Sequence, residues 1–146
     1  MPPSVLPAAV VADANVLLSA VIGGRAWGVL WHPHGPRCST SDHVYAEVVS
    51  HLPRLAAKRR LEEAYLLEQL RLSPLTVVSA KTYAGREGEA RQRIAHRDPD
   101  DWPTVALALA LSQPIWTQDR DFEEAGVHTY TTGQLLDELR EVGELP

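Results

Sequence analysis

Residues 105 to 111 read Val-Ala-Leu-Ala-Leu-Ala-Leu, a run with no polar position on any face. Alanine and leucine are strong helix formers, and a helix that is apolar all round has to be buried. Pro103 is tolerated only in a first turn, which sets the helix start near Asp100 or Asp101. Ser112-Gln-Pro114 ends the helix, and Ile115-Trp-Thr117 reads as a short buried strand. This greasy helix–strand unit is flanked by acids. Asp98, Asp100 and Asp101 precede it, and Asp119 and Asp121 follow it. A core unit needs polar caps, but it does not need five carboxylates.

The same alternation runs through the rest of the chain. Ala8-Ala-Val-Val-Ala12 is a short apolar run that fits a strand buried on both faces. Asp13 follows it, and Val16 to Ile22 then reads as a helix closed by Gly23-Gly24. Arg25 to Trp31 is a second short helix, and Arg37 to Thr40 a brief strand. Ser41-Asp42 caps a helix whose apolar positions are Val44, Tyr45, Val48, Val49 and Leu52. Pro53 is expected to break that helix, and Leu55 to Leu72 to form a separate charged one. Leu75 to Val78 is a third strand, and Gly85 to Ala95 an arginine-rich helix. Val127 to Tyr130 is a last strand, and Thr131 or Thr132 caps a closing helix over Gln134 to Val142. Repeated strand–helix alternation predicts a mostly parallel sheet covered on both faces. No linker or repeat divides the chain, so residues 1–146 are read as one domain.

Bulk properties narrow the function classes. The 146 residues suffice for one real core. The net charge is −5, from 14 basic and 19 acidic residues, which argues against nucleic-acid binding through bulk positive charge alone. A cation can still neutralise a local acidic site. A single cysteine, Cys38, excludes an internal disulfide and any multi-cysteine zinc site. No apolar run reaches the length of a membrane span, and residues 1–7 lack the basic and apolar regions of a signal peptide. The expected location is the cytoplasm. His32 and His34 in a proline-rich turn, and the basic cluster Lys58-Arg59-Arg60, read as solvated surface. Arg86, Arg91, Arg93 and Arg97 are candidates for steering an anionic substrate toward the acids.

The chemistry follows from where the acids fall. If the strands are parallel, Asp13 and Asp119 both lie at carboxyl ends, where ligands collect in open α/β sheets. Asp101, at a helix start, reaches the same edge. Taken alone, Asp13 reads equally well as a helix N-cap, and Glu47 as a solvated helix position. Clustered carboxylates raise one another's pKa, and a divalent cation offsets the charge. All-oxygen ligands favour Mg²⁺ or Mn²⁺ over zinc. Such ions activate water and stabilise developing charge in phosphodiester cleavage. Asn15 and Thr117 are neighbours suited to hold a metal-bound water or a phosphate oxygen.

Four segments in order then resemble the PIN-domain nucleases: Val11-Ala-Asp-Ala-Asn-Val-Leu-Leu-Ser19, Tyr45-Ala-Glu-Val48, Asp98-Pro-Asp-Asp101 ahead of Ala106 to Leu111, and Ile115-Trp-Thr-Gln-Asp-Arg-Asp-Phe122. The resemblance covers Ala8 to Leu139. It implies a three-layer α/β/α sandwich with a central, mostly parallel sheet of four to five strands. It also implies Mg²⁺- or Mn²⁺-dependent endoribonuclease activity on RNA, with a quartet of acids that falls here on Asp13, Glu47, Asp101 and Asp119. Asp100 and Asp121 are close seconds, and the doubled Asp100-Asp101 leaves the third place open between the two. Small stand-alone domains of this kind resemble the toxins of VapBC-type pairs, each held inactive by an antitoxin protein, and the family implies homodimers.

Two other classes compete. One is a PIN fold without activity, serving as an RNA- or protein-binding module. The other is a phosphotransfer enzyme or receiver of the haloacid-dehalogenase or response-regulator type. The former type needs a second Asp two residues after Asp13, where Asn15 stands. The latter needs paired acids at the first strand end and a late lysine.

Overall fold

A computed structural model describes residues 6–95 and 98–143; for Arg120, Asp121 and Gly143 only the backbone is described. Five strands, β1 (Ala9–Ala12), β2 (Arg37–Ser41), β3 (Leu75–Val78), β4 (Ile115–Trp116) and β5 (Thr129–Tyr130), form one sheet in the order β3-β2-β1-β4-β5. Every pairing is parallel. Parallel neighbours need crossovers, and helices supply them.

The strands read as continuous apolar runs because both faces of the sheet are covered. Val10 and Ala12 face one core with Trp116, while Val11 and Ile115 face the other. The first face carries α1 (Ala14–Val21), α2 (Arg25–Leu30), α3 (Asp42–Arg59), α4 (Glu63–Leu72) and α8 (Thr132–Gly143). The second carries α5 (Ala80–Tyr83), α6 (Glu87–Arg93) and α7 (Trp102–Leu111). The result is the expected three-layer α/β/α sandwich, with five strands.

Helix α7 is the all-apolar segment. Residues Pro103 to Ala108 are buried without interruption, against α6 on one side and the sheet on the other. Pro103 occupies its first turn, and Ser112 closes it with a left-handed φ of 54°. A single 3-10 turn, Pro99–Asp101, precedes it, capped by the Asp98 side chain on the Asp100 amide. Cys38 is buried in the first core, and burial pushes its thiol up to about 12, so it behaves as a small apolar filler.

Two expectations about the helices need correction. Pro53 does not break α3, which continues to Arg59. Val44, Val48, Leu52 and Ala56 form one buried stripe at i, i+4 spacing on both sides of the proline. Burial of that stripe outweighs the one lost backbone hydrogen bond. The chain breaks instead at Arg60, which is left-handed with φ 55°, so residues 55 to 72 belong to two helices. The arginine-rich stretch expected as one helix over 85 to 95 is likewise divided between a 3-10 turn, Ala84–Arg86, and α6.

Candidate functional site

Strand β1 lies at the centre of the sheet. The chain moves outward from it to β2 and β3 on one side, and later to β4 and β5 on the other. The switch in strand order therefore falls between β1 and β4. The crevice beyond the carboxyl ends of those two strands is the default ligand site of an open α/β sheet. Asp13 is the first residue past β1. Thr117, Gln118 and Asp119 are the first three past β4.

The two strand ends are tied together by named hydrogen bonds. The Asp13 amide donates to the Trp116 carbonyl at 3.0 Å. Asp13 Oδ1 accepts from the Ala14 amide at 2.8 Å, so Asp13 is indeed the N-cap of α1. Its Oδ2 accepts from the Thr117 hydroxyl at 3.0 Å and from Asn15 Nδ2 at 3.2 Å. The Thr117 hydroxyl in turn accepts from the Asp119 amide at 3.0 Å and from Asn15 Nδ2 at 3.4 Å. Asn15 Oδ1 accepts from the Gln118 amide at 3.3 Å. Thr117 is 2% exposed, and its one donor and both acceptor positions are used. Asn15 and Thr117 thus orient Asp13 and the Asp119 backbone, where a water- or phosphate-holding role was expected. The N-cap and catalytic readings of Asp13 are compatible, because the cap takes one acceptor position of Oδ1 and leaves the other.

The electrostatics link three of the four expected acids. Burial raises the pKa of Asp13 above the ordinary carboxylate value, and the nearby charges of Glu47 and Asp119 raise it further. The Ala14 and Thr117 hydrogen bonds oppose that rise. A buried carboxylate with the charges of two others acting on it, among oxygen donors, fits a hard divalent cation that relieves the repulsion.

Glu47 projects from α3, half exposed, with its Oε1 at 4.0 Å from His51 Nε2. It shares a cleft of about 480 Å³ with His43, Ser50, Asp98, Asp100 and Asp101. Asp98 and Asp100 are exposed there, and Asp101 and Asp119 are half-buried. The acids therefore fall in two adjoining sets: Asp13 with Asp119 at the strand ends, and Asp98, Asp100 and Asp101 across from Glu47. Among the described residues, no three such side chains stand close enough together to grip one ion without rearrangement. The Asp121 side chain and Arg97 lie outside the described residues.

The other expected steering groups are occupied. Arg86 and Arg93 both pair with Glu89, and Arg91 pairs with Glu87 at 2.8 Å. Arg91 also lies over the Trp102 ring, 5.2 Å from its centroid. His43 was missed in the sequence. Its signal was the His43-x-x-x-Glu47 spacing, which puts both residues on one face of α3.

Comparison with known proteins agrees with this layout. A family profile described as PIN domain matches residues 11–140. No curated protein matches the sequence significantly. The chain is similar in structure to VapBC2 from Rickettsia felis, crystallised with a DNA fragment from its promoter. The TM-score is 0.65 at 15% identity, covering 83% of this chain and 96% of that one. It is similar also to a toxin–antitoxin complex from Klebsiella pneumoniae, with a TM-score of 0.58 at 20% identity, covering 78% and 90%. The family match spans both strand ends, the acidic cleft and the buried helix between them: the chain belongs to the PIN-domain family.

Proposed function

We propose that this protein is a metal-dependent endoribonuclease, the toxin member of a VapBC-type pair, with the whole chain acting as one catalytic domain. The observation that carries the reading is the position of Asp13. It is held by Thr117 and Asn15 at the switch point of the sheet, and the charges of Glu47 and Asp119 act on it. Asp13, Glu47, Asp101 and Asp119 are the residues assigned to hold Mg²⁺ or Mn²⁺, with Asp100 and Asp121 adjacent. Such an ion supplies charge stabilisation at the phosphoryl oxygens and makes water a better nucleophile near neutral pH.

The chain's own groups do the rest. The Thr117 hydroxyl and the Ala14 amide hold the Asp13 carboxylate in place, so this member of the set is already oriented and the rearrangement falls to the acids around it. Burial of Thr117 keeps that hydrogen bond dry and strong. Glu47 and the Asp98–Asp101 segment line the cleft from its two sides, so a phosphodiester lying there meets carboxylates on both. Those carboxylates repel a bare phosphate, which makes substrate binding depend on the cation.

Likeness to two toxin–antitoxin complexes supports the antitoxin partner. So does the exposed aromatic surface of α2 and α4, where Trp27, Trp31 and Tyr65 are 40 to 50% exposed. A homodimer in the cytoplasm completes the reading; no described helix is long and apolar enough to cross a membrane. The test is cleavage of a mixed RNA pool by purified wild type and Asp13→Asn, with Mg²⁺, with Mn²⁺ and with EDTA. Cleavage that needs metal and Asp13 supports the reading. RNA binding without cleavage under every metal condition would replace it with the binding-module reading.

A further inference from the structure

Beside the acidic cleft lies a second hollow of about 400 Å³, lined by Asp42, His43, Ala80, Tyr83, Trp102 and Pro103. His43 lines both, and Trp102 follows Asp101 directly in the chain. The two hollows therefore adjoin, and a strand whose phosphate occupies the cleft has this hollow beside it. Two features of its walls stand out.

One is a carboxylate fixed in place. Asp42 Oδ1 accepts from the Tyr83 hydroxyl and from the His43 amide at 2.8 Å, and Oδ2 accepts from the Ala80 amide at 3.1 Å. The Tyr83 bond is the largest influence holding Asp42 below the usual carboxylate range. Three of the four acceptor positions are used. The fourth, on Oδ2, is left to an exposed residue at the hollow's rim. A tether between α3 and α5 accounts for the Tyr83 and Ala80 bonds, and the His43 bond is local to α3; neither requires the residue to face a groove beside the acids.

The other is an aromatic wall. Trp102 is half-buried, with Tyr83 tilted 58° against it at 5.8 Å and Arg91 over its ring. Neighbours on several sides restrict the ring and pre-organise its remaining surface. Aromatic side chains with an adjacent arginine are the usual platform for an unstacked nucleobase.

We propose that this hollow is a base-reading subsite: it takes the unpaired nucleobase next to the scissile phosphate, stacked on Trp102, with Asp42 accepting an amino N–H from its Watson–Crick edge. The proposal rests on the nuclease reading for the position of the phosphate. It selects bases that carry an exocyclic amine over uracil, whose single ring N–H is flanked by two carbonyl oxygens that a carboxylate repels. Single-stranded RNA is the substrate class, because a paired base cannot present that edge.

The test is fluorescence anisotropy with labelled tetraribonucleotides UUUU, UUCU, UUAU and UUGU. They are titrated in Ca²⁺, a hard cation that offsets the charge of the cleft's carboxylates, with wild type, Asp42→Asn and Trp102→Leu, and each oligonucleotide is checked to be uncut. Wild type is expected to bind the three amine-bearing oligonucleotides roughly tenfold more tightly than UUUU. Asp42→Asn should collapse that difference, and Trp102→Leu should weaken all four by about tenfold. Equal affinity of wild type for all four overturns the subsite, and that result needs no variant to fold. Unchanged binding by both variants, with melting curves like wild type, overturns it as well. Cleavage mapping separates the two readings. Metal-dependent cutting with no preference in binding or cutting removes the subsite and leaves the nuclease. A clear base preference with no cutting under Mg²⁺ or Mn²⁺ removes the nuclease and leaves the subsite.

Discussion

Single residues carry opposite signs of stability here. Asp13 has a raised pKa in the fold, so the folded state holds its proton more tightly than the unfolded chain does. Its contribution is therefore favourable below the unfolded value of 3.8 and is lost as pH rises through the folded value. At neutral pH the ionised Asp13 is a cost to stability. Asp13→Asn keeps an N-cap of equal quality and removes the charge. Its melting temperature is expected to lose the wild type's fall between pH 3 and pH 7, while RNA cleavage falls to background. Calorimetric melts across that pH range check the first half. Thr117→Val does the reverse. It leaves the Asp119 amide and Asp13 Oδ2 without a buried partner, at a cost of about 1–3 kcal/mol, read as a lower urea midpoint. Cleavage should drop with it, because Asp13 loses its orientation. The sequence placed Asp13 at a strand end but could not distinguish a ligand from a cap. It also could not show that Thr117 spends its whole hydrogen-bonding capacity on its neighbours, since that depends on contacts across more than 100 residues.

Elements were more legible than their boundaries. The apolar runs 8–12 and 115–117 and the all-apolar helix could only be buried, and burial on both faces dictates a parallel sheet under two helical layers. Local punctuation misled where packing overrode it. Pro53 looked like a stop, yet the buried stripe of α3 runs past it. Pro53 is exposed, so Pro53→Ala should restore a backbone hydrogen bond with no core change. The expected gain is about 1–3 kcal/mol, measured by chemical denaturation. The caps were visible because their chemistry is local. Thr131 and Gln134 form a reciprocal pair at the start of α8, with the Gln134 amide donating to the Thr131 hydroxyl at 3.1 Å and the Thr131 amide donating to Gln134 Oε1 at 2.8 Å. Thr131→Ala should cost about 1 kcal/mol, seen as fraying of α8 in hydrogen exchange. The cleft shared by Glu47 and Asp98–Asp101 was not legible in its geometry, because it depends on how α3 packs beside the turn before α7.

For the molecule as a whole, a bound cation should act as a stabilising ligand. Adding Mn²⁺ at about 100 times its dissociation constant is expected to stabilise wild type by about 2.7 kcal/mol, read as a rise in melting temperature. Asp13→Asn should show little of that rise. The sheet order has a further consequence, in time rather than space. β1 pairs with β4, so Val11 meets Ile115 and Ala12 meets Trp116 only after most of the chain exists. A nascent polypeptide stalled before Thr117 carries Asp13 with its local partners Ala14 and Asn15, but lacks the Thr117 hydroxyl that holds Oδ2 and the Asp119 carboxylate beside it. On the nuclease reading, a chain that ends before Thr117 holds no competent site. An enzyme directed at RNA would stay harmless to the machinery translating it until β4 and the residues after it have been made.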